Sequence, residues 1–358
     1  MQKTFNIILK FWRNKMKKQL LIAAVAATLG TSAMADISIT GDALMRYAST
    51  EDALGSATDQ NQLDQRIRLK MVGTSGYTKV VMGLRTDNDE TFTTARTGGG
   101  TSPSTNGIET DYRFISTKVG GATVKVGEWW ESTGLGLVRK GQSSGTNAVR
   151  VSGTVADVDL GLQGTVDGPE AVIDASTTIA GVKLGLEHDT TDNTGYTDVT
   201  IKGKMADVNY AAEIYQSDAT ASDADAHLVH LFTKIGGATV HLAAAKWEAD
   251  SGTARVDNVK FSPLGVSILG TATGINGELA VGNVNAGTTE DKVTGARVDF
   301  NMAGNSIQLA AGNLEVGTVD KSFTDIIVTR DLAGAKLALS AGEWNSRKSM
   351  GAKISVKF

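Results

Sequence analysis

Apolar and polar side chains alternate with a period of two along most of the chain that follows residue 35. The segment QRIRLKM, residues 65–71, places its apolar side chains on one side and Arg66, Arg68 and Lys70 on the other. Because successive side chains of a strand point to opposite faces, this period predicts β-strands with one apolar face and one polar, often charged, face. No stretch beyond residue 35 keeps a helical period, so the chain is predicted to be all-β.

Small or turn-forming residues interrupt the alternating runs at regular intervals. Two-residue connections between antiparallel strands favour Gly and Asp, which tolerate a positive φ. Longer polar connections lie between these tight turns, so that short and long connections alternate along the chain. The predicted tight turns are Gly120-Gly121, Ala156-Asp157, Ala180-Gly181, Ala206-Asp207, Gly236-Gly237, Ala303-Gly304 and Ala333-Gly334, with a four-residue turn Gly73-Thr74-Ser75-Gly76 and one more near Pro263 or Asn276.

This alternation predicts an up-and-down meander of sixteen to twenty strands, with eighteen to twenty as the best count. A soluble β-sandwich would bury the apolar faces between two sheets, with similar loops at both ends. Sequential pairing favours closure into a barrel, which removes the unpaired sheet edges. Because side chains cannot fill a barrel this wide, water occupies its interior and the apolar face lies against lipid. The expected fold is a transmembrane antiparallel β-barrel.

The first 35 residues have the layout of an export signal. The segment MKKQLLIAAVAATLGTSAMA, residues 16–35, has a basic start, an apolar run of about ten residues and small residues at Ala33 and Ala35. A membrane-spanning helix would need roughly twenty apolar residues. We therefore expect residues 1–35 to be a signal peptide, with Met16 as a plausible true start and cleavage after Ala35, and residues 36–358 to form a single barrel domain.

The remaining composition argues against several kinds of chemistry. Removal of residues 1–35 takes away six Lys or Arg and no acid, which leaves 29 basic and 39 acidic side chains and a net charge of −10. A chain this acidic is not expected to bind nucleic acid. The chain has no Cys, and His227 and His230 lie three apart, which places them on opposite faces of a strand. No nucleophile–base pair can be identified, so we expect no metal, no cofactor and no enzymatic activity.

Tryptophans follow several of the tight turns at a constant distance. The phrase TKVGGATVKVGEWWE, which begins at Thr117, returns at Thr233 as TKIGGATVHLAAAKWE. Ten residues at about 3.3 Å each, tilted by roughly 40°, rise about 25 Å, the height of the apolar band of a membrane barrel. Amphipathic rings anchor at membrane interfaces. The residues expected to form such a girdle are Trp129, Trp130, Trp247 and Trp344.

The final segment, GAKISVKF, alternates Ile354 and Val356 and ends at Phe358. Together with the export signal and the opening strand DISITG, this ending resembles Gram-negative outer-membrane porins of the general-diffusion type. The resemblance implies location in the outer membrane, short periplasmic turns and longer extracellular loops, and a final strand that serves as the assembly signal for the barrel insertion machinery. It also implies a homotrimer and contacts with outer-membrane lipid and lipopolysaccharide.

A polar bore implies passive diffusion of small hydrophilic solutes and ions, with selectivity set by width and lining charge. In porins, the long connection after the fifth strand folds into the bore and narrows it. The matching segment runs from Glu131 to Thr146 and contains Arg139 and Lys140, so an anion preference is the hypothesis. Neighbouring strands lie about 4.8 Å apart. A basic wall is therefore expected from Arg66, Arg68, Lys70, Lys79, Arg85, Arg113, Lys125 and Arg150.

Two other functions remain open at this point. A barrel with a blocked bore would serve as a surface receptor, adhesin or structural protein, and an outer-membrane enzyme would need an acid–base pair on its wall. Acidic side chains concentrate in the long connections, where they are either solvated or bridge divalent cations, which prefer several oxygen ligands. These runs are Asp87, Asp89 and Glu90, then Asp218, Asp223 and Asp225, and lastly Glu290 and Asp291.

Overall fold

The computed structural model describes most of the chain after the expected export signal. The described residues are 36–51, 60–88, 108–131, 134–135, 142–143, 147–166, 168, 171–191, 195–217, 224–249, 255–256, 260–261, 279–280, 284–285, 291–316, 319–344 and 347–358. Within these ranges, no helix has the length and hydrophobicity that a membrane crossing requires.

The period-two segments form strands, as the sequence predicts, and eighteen of them join into one sheet. These are β1 (Asp36–Glu51), β2 (Gln60–Ser75), β3 (Thr78–Asn88), β4 (Glu109–Val119), β5 (Ala122–Glu128), β8 (Ala148–Val155), β9 (Val158–Thr165), β10 (Ala171–Ile179), β11 (Val182–Asp189), β12 (Tyr196–Met205), β13 (Val208–Ser217), β14 (Ala224–Ile235), β15 (Ala238–Ala249), β20 (Asp291–Met302), β21 (Asn305–Val316), β22 (Val319–Leu332), β23 (Ala335–Trp344) and β24 (Arg347–Lys357). Short pairs lie in two connections: β6 (Trp130–Glu131) with β7 (Gln142–Ser143), β16 (Arg255–Val256) with β19 (Val284–Asn285), and β17 (Lys260–Phe261) with β18 (Leu279–Ala280).

The sheet is antiparallel and closed. Each of its strands pairs with the next one along the chain, and β1 pairs with both β2 and β24. The last residue completes the seam, because Phe358 and Gly41 exchange backbone hydrogen bonds of 2.7 and 3.0 Å. The fold is the predicted up-and-down β-barrel, and its eighteen strands lie within the expected range.

The seven predicted two-residue turns are confirmed, and several of them hold a non-glycine residue at positive φ, such as Ala156 at 48° and Asp157 at 64°. The predicted four-residue turn at 73–76 is wrong. β2 continues through Ser75, and the turn is Gly76-Tyr77 with Gly76 at a φ of 57°. The register explains the difference, since Ser75 still pairs with Thr78 across a two-residue connection.

The barrel closes without the predicted ninth tight turn, near Pro263 or Asn276. β15 pairs directly with β20 from Ala238–Phe300 to Trp247–Asp291, so the stretch between them contributes no strand to the barrel. The eight tight turns join sixteen strands in pairs, and the first and last strands, whose free ends lie on the turn side, bring the number to eighteen. Both positions named for the ninth turn lie outside the described residues.

The cross-strand register divides the side chains of the barrel into an outer row and an inner row. The outer row carries exposed apolar side chains around the whole barrel, including Ile39 on β1, Leu162 on β9, Val229 on β14 and Ile354 on β24. The inner row carries most of the charged side chains, of which Glu213 and Asp198 are only 1% and 2% exposed. A closed sheet with this distribution has an apolar outside and a polar bore.

Candidate functional site

Seven of the eight residues expected to form a basic wall lie on the inner row. The register pairs Arg68 with Arg85 between β2 and β3, and Lys125 with Arg150 between β5 and β8. The seven are Arg66, Arg68, Lys70, Lys79, Arg85, Lys125 and Arg150.

Arg113 is the exception, and its expected place in the wall is wrong. The β4 register pairs Arg113 with Met82 and with Glu128, both on the outer row. Ile115, two residues further along, is 50% exposed on the same outer face. Residues two apart in a strand share a face, so the parity with Ile115 is the sequence signal that places Arg113 outside.

Carboxylates partly balance the basic wall. Arg68 Nη2 lies 2.9 Å from Asp42 Oδ1, and Arg66 Nη2 lies 3.8 Å from Asp42 Oδ2. Arg85 Nη1 lies 3.9 Å from Asp111 Oδ1. The ion pairs fix the guanidinium groups in the bore while Lys70 and Lys79 remain exposed on the same rows.

Sequence reasoning missed Arg46 and Lys353, which extend the basic wall across the closing seam. The two residues are register partners between β1 and β24, and Arg46 is only 8% exposed. Its neighbours Met45 and Tyr47 lie on the outer row. Strand parity in β1 would therefore have placed Arg46 on the inner row. Next to this part of the wall lies a cavity of about 630 Å³ whose lining includes Asp42, Arg68, Lys70, Tyr112 and Lys357.

Carboxylates concentrate on the inner rows of β10 to β13, away from the seam. Asp174 pairs in the register with Glu187, and Glu187 pairs with Asp198. Tyr196 donates its hydroxyl to Glu187 at 2.5 Å, and Asp174 also binds Arg150 Nη2 at 2.7 Å. The bore therefore has a basic side at β24 to β3 and an acidic side at β10 to β13.

The connection after β5 enters this bore and lies against its wall. At its start, the Trp129 indole donates to Glu131 Oε2 at 3.1 Å, and Gln163 of β9 donates to Glu131 Oε1 at 2.7 Å. The Trp130 indole donates to Asp111 Oδ1 at 2.9 Å. Burial raises the pKa of the Glu131 carboxyl above its ordinary value, and the two donated hydrogen bonds oppose this shift.

The same connection reaches the acidic wall. The Leu135 backbone N–H donates to Glu213 Oε2 of β13 at 2.8 Å. Gly134 has a φ of 59°, and a Cβ built on it would lie 2.5 Å from both Asp198 Oδ2 and Glu213 Oε1. A side chain at this position would be strained at this φ and would displace both carboxylates, so glycine is favoured here. The described start of the expected constriction segment, Glu131 and residues 134–135, thus lies inside the bore; Arg139 and Lys140 of that segment lie outside the described residues.

The expected tryptophan girdle is wrong for Trp129 and Trp130. Trp129 is 4% exposed and packs edge-on against Phe114 of the inner row. Trp130 binds Asp111, whose side chain is 6% exposed. Trp247 and Trp344 occupy register positions opposite Ala226 and Phe323 of the inner row, and their side chains lie outside the described part.

The remaining expected residues have defined positions. Ile354 and Val356 lie exposed on the outer row of β24, and Phe358 ends the chain at the seam. On β14, the register places His227 on the outer row and His230 on the inner row, where His230 Nε2 lies 3.0 Å from His241 Nδ1. Among the described residues, no group of three or more His, Cys, Asp or Glu is arranged to hold a metal ion.

No protein-family model matches the sequence, and no curated protein matches it significantly. Solved porin structures do share the fold. OccK8 (OprE) of Pseudomonas aeruginosa is 11% identical with a TM-score of 0.61, over 90% of this chain and 98% of that one. A BenF-like porin from Pseudomonas fluorescens Pf-5 is 12% identical with a TM-score of 0.61, over the same shares. OccAB4 of Acinetobacter baumannii is 8% identical with a TM-score of 0.63, again over 90% and 98%. The chain has the barrel fold of these porins.

Proposed function

We propose that this chain is an outer-membrane porin, a water-filled channel for passive diffusion of small hydrophilic solutes and ions. One observation carries the proposal: a closed eighteen-stranded sheet has an apolar outer row, a charged inner row and a connection that enters its bore and hydrogen-bonds to Gln163 and Glu213 of the inner row. A polar bore enclosed by an apolar surface conducts solutes without chemistry. Its likeness to solved porin structures supports this reading.

The outer surface supports a place in a bilayer. On β15 the outer row is apolar from Ala238 to Ala244 and then becomes charged at Lys246, which pairs with Glu248. Lys292 and Glu315 continue this charged collar on β20 and β21 at 3.9 Å. The eight residue steps from Ala238 to Lys246, tilted as in other membrane barrels, rise about 20 Å, close to the apolar height of an outer-membrane barrel. The export signal proposed for residues 1–35 is consistent with delivery to that membrane.

Conductance tests the channel directly. The refolded protein should form open channels in a planar bilayer and make liposomes permeable to small sugars. A blocked barrel that serves as a receptor or adhesin would instead show the heat-modifiable migration of a folded barrel, without conductance. That result would overturn the proposal while leaving the fold intact.

Selectivity follows from the two sides of the bore. The basic side lines the cavity near Arg68 and Lys70, while the connection after β5 covers Glu213 and its neighbour Asp198. We therefore propose an anion preference, because the basic side borders the cavity whereas the connection lies over Asp198 and Glu213. Reversal potentials in a salt gradient should have the sign of an anion-selective channel. A cation-selective potential would contradict this part of the proposal.

Assembly is also part of the proposal. Three equal closing steps in single-channel records would support a homotrimer of independent pores, and a single step would argue against it. The outer collar around Lys292 and Lys246 fits contact with lipopolysaccharide phosphates, and the terminal Phe358 fits recognition by the barrel insertion machinery. Any divalent-cation bridging would involve acidic connections that lie mostly outside the described residues.

A further inference from the structure

Lys125 differs from the other basic residues of the inner row in what surrounds its charge. Its Nζ lies 4.0 Å from the centre of the Trp129 ring and 4.3 Å from the centre of the Phe114 ring. The two rings meet edge to face with centroids 6.3 Å apart, so the ammonium group lies over two aromatic faces at once. A cation held in this way is attracted to the ring quadrupoles.

Phe114, Lys125 and Trp129 join the barrel wall to the start of the connection after β5. Phe114 belongs to β4 and Lys125 to β5, whereas Trp129 is the first residue after β5. The strand wall is fixed by the register that pairs Ser116 with Lys125. Trp129 is 4% exposed and holds Glu131 through its indole N–H, so a movement of this ring would move the start of the connection.

A second contact fixes the same connection a few residues after Trp129. The Leu135 N–H donates to Glu213 of β13, 78 residues further along the chain. The described part of the connection is therefore tied to the barrel wall by the aromatic contact of Lys125 and by the hydrogen bond to Glu213, as well as by the hydrogen bonds of Trp130 with Asp111 and of Glu131 with Gln163.

We propose that Lys125 is a positioning residue that holds the start of the constriction segment through the Phe114 and Trp129 rings, rather than a charge that attracts permeating anions. The inference rests on the proposed channel function. It requires a cation over the two rings, because a neutral side chain of similar length keeps the packing and loses the attraction. Arg keeps the charge and stacks on aromatic rings as well.

Single-channel recording of three variants tests this assignment. Lys125→Met should raise open-channel current noise at least twofold, with a changed conductance, whereas Lys125→Arg should stay close to the wild type. Lys79→Met removes the same charge from the inner row of β3 and should lower anion preference without added noise. If Lys125→Met behaves like Lys79→Met, with reduced anion preference and unchanged noise, Lys125 is a selectivity charge and the inference is wrong.

A second readout does not depend on conduction. The connection after β5 contains trypsin sites at Arg139 and Lys140. In the folded barrel, cleavage there should be several-fold faster for Lys125→Met than for the wild type, and close to the wild-type rate for Lys125→Arg. Equal rates in all three would overturn the inference. If the wild type forms no channels but the proteolysis pattern holds, the channel function fails while the positioning role stands.

Discussion

Glu131 lies at the start of the connection after β5, and its charge state controls two hydrogen bonds. Its two carboxylate oxygens accept separately from Trp129 and Gln163. Burial raises the pKa of Glu131, so the group binds a proton at a higher pH than an exposed glutamate. The protonated form has a hydroxyl in place of one acceptor and weakens one of these bonds.

The channel should therefore become noisier as the pH falls from neutral into the mildly acidic range. Glu131→Gln should show the noisy behaviour already at neutral pH and lose this pH dependence, because its amide keeps a single acceptor oxygen. Asp159→Asn is a suitable control, since Asp159 lies on the inner row beside a tight turn and accepts from Thr154. Noise in current records at fixed voltage measures the effect. A Glu131→Gln channel with the wild-type pH response would contradict this role.

At the level of single residues, strand parity decides how much the sequence can predict. Arg66, Arg68 and Lys70 alternate with apolar neighbours within one unbroken run, and their inner position is predictable. Position 247 lies five residues after Leu242, which is 53% exposed on the outer row. Because residues an odd number apart in a strand lie on opposite faces, the sequence alone assigns position 247 to the inner row. Distance from the turn indicates height along the barrel and leaves the face undetermined, which is why the expected girdle position is wrong for Trp129 and Trp130.

At the level of elements, the end of β5 depends on one backbone conformation. Gly127 has a φ of 133°, and a Cβ built there would lie 2.3 Å from the Arg113 carbonyl oxygen and 2.7 Å from Phe114 Cα. Those contacts are with backbone atoms and cannot be relieved by rotating a side chain. Gly127 lies two residues before Trp129, so its backbone conformation also sets the direction in which the connection after β5 leaves the barrel wall.

Gly127→Ala should lower the free energy of unfolding by about 2–4 kcal/mol, from backbone strain and displacement of β4. Gly73→Ala is the matched control, because a Cβ on Gly73 of β2 meets nothing within 4 Å. Urea unfolding followed by tryptophan fluorescence in detergent compares the two variants. Equal midpoints for Gly127→Ala and Gly73→Ala would show that the strand end adapts without cost.

The elements themselves are predictable where turn chemistry and alternation agree. Ala206-Asp207 and Gly236-Gly237 each separate two alternating runs, and both form the expected turn. The stretch around Pro263 and Asn276 also contains turn-forming residues, yet β15 and β20 pair directly across it. Whether such a stretch adds two strands depends on pairing with distant partners, and local composition does not specify that pairing. The contact of Leu135 with Glu213 is non-local for the same reason.

At the level of the whole molecule, closure joins the two ends of the barrel chain. The Phe358 backbone pairs with Gly41, and its ring occupies the space where a Gly41 side chain would lie, 2.6 Å from the ideal Cβ position. Similar cross-strand pairs join Gly83 with Tyr112 and Gly203 with Tyr210. The ring over glycine covers exposed backbone and fixes the register of the last strand against the first.

Phe358→Ala should therefore destabilise the isolated barrel as well as any step of cellular assembly. Removal of a ring that is 60% exposed should cost about 1–2 kcal/mol in urea unfolding of protein refolded into lipid vesicles. Gly41→Ala should produce a similar loss while it leaves Phe358 in place. The pair separates two roles of the terminal residue. If Phe358 stabilises the seam, both variants should be less stable in vitro, where no insertion machinery is present. If the insertion machinery also recognises Phe358, only Phe358→Ala should show an additional loss of barrel assembly in cells. Wild-type stability of both variants in vesicles would remove the seam contribution.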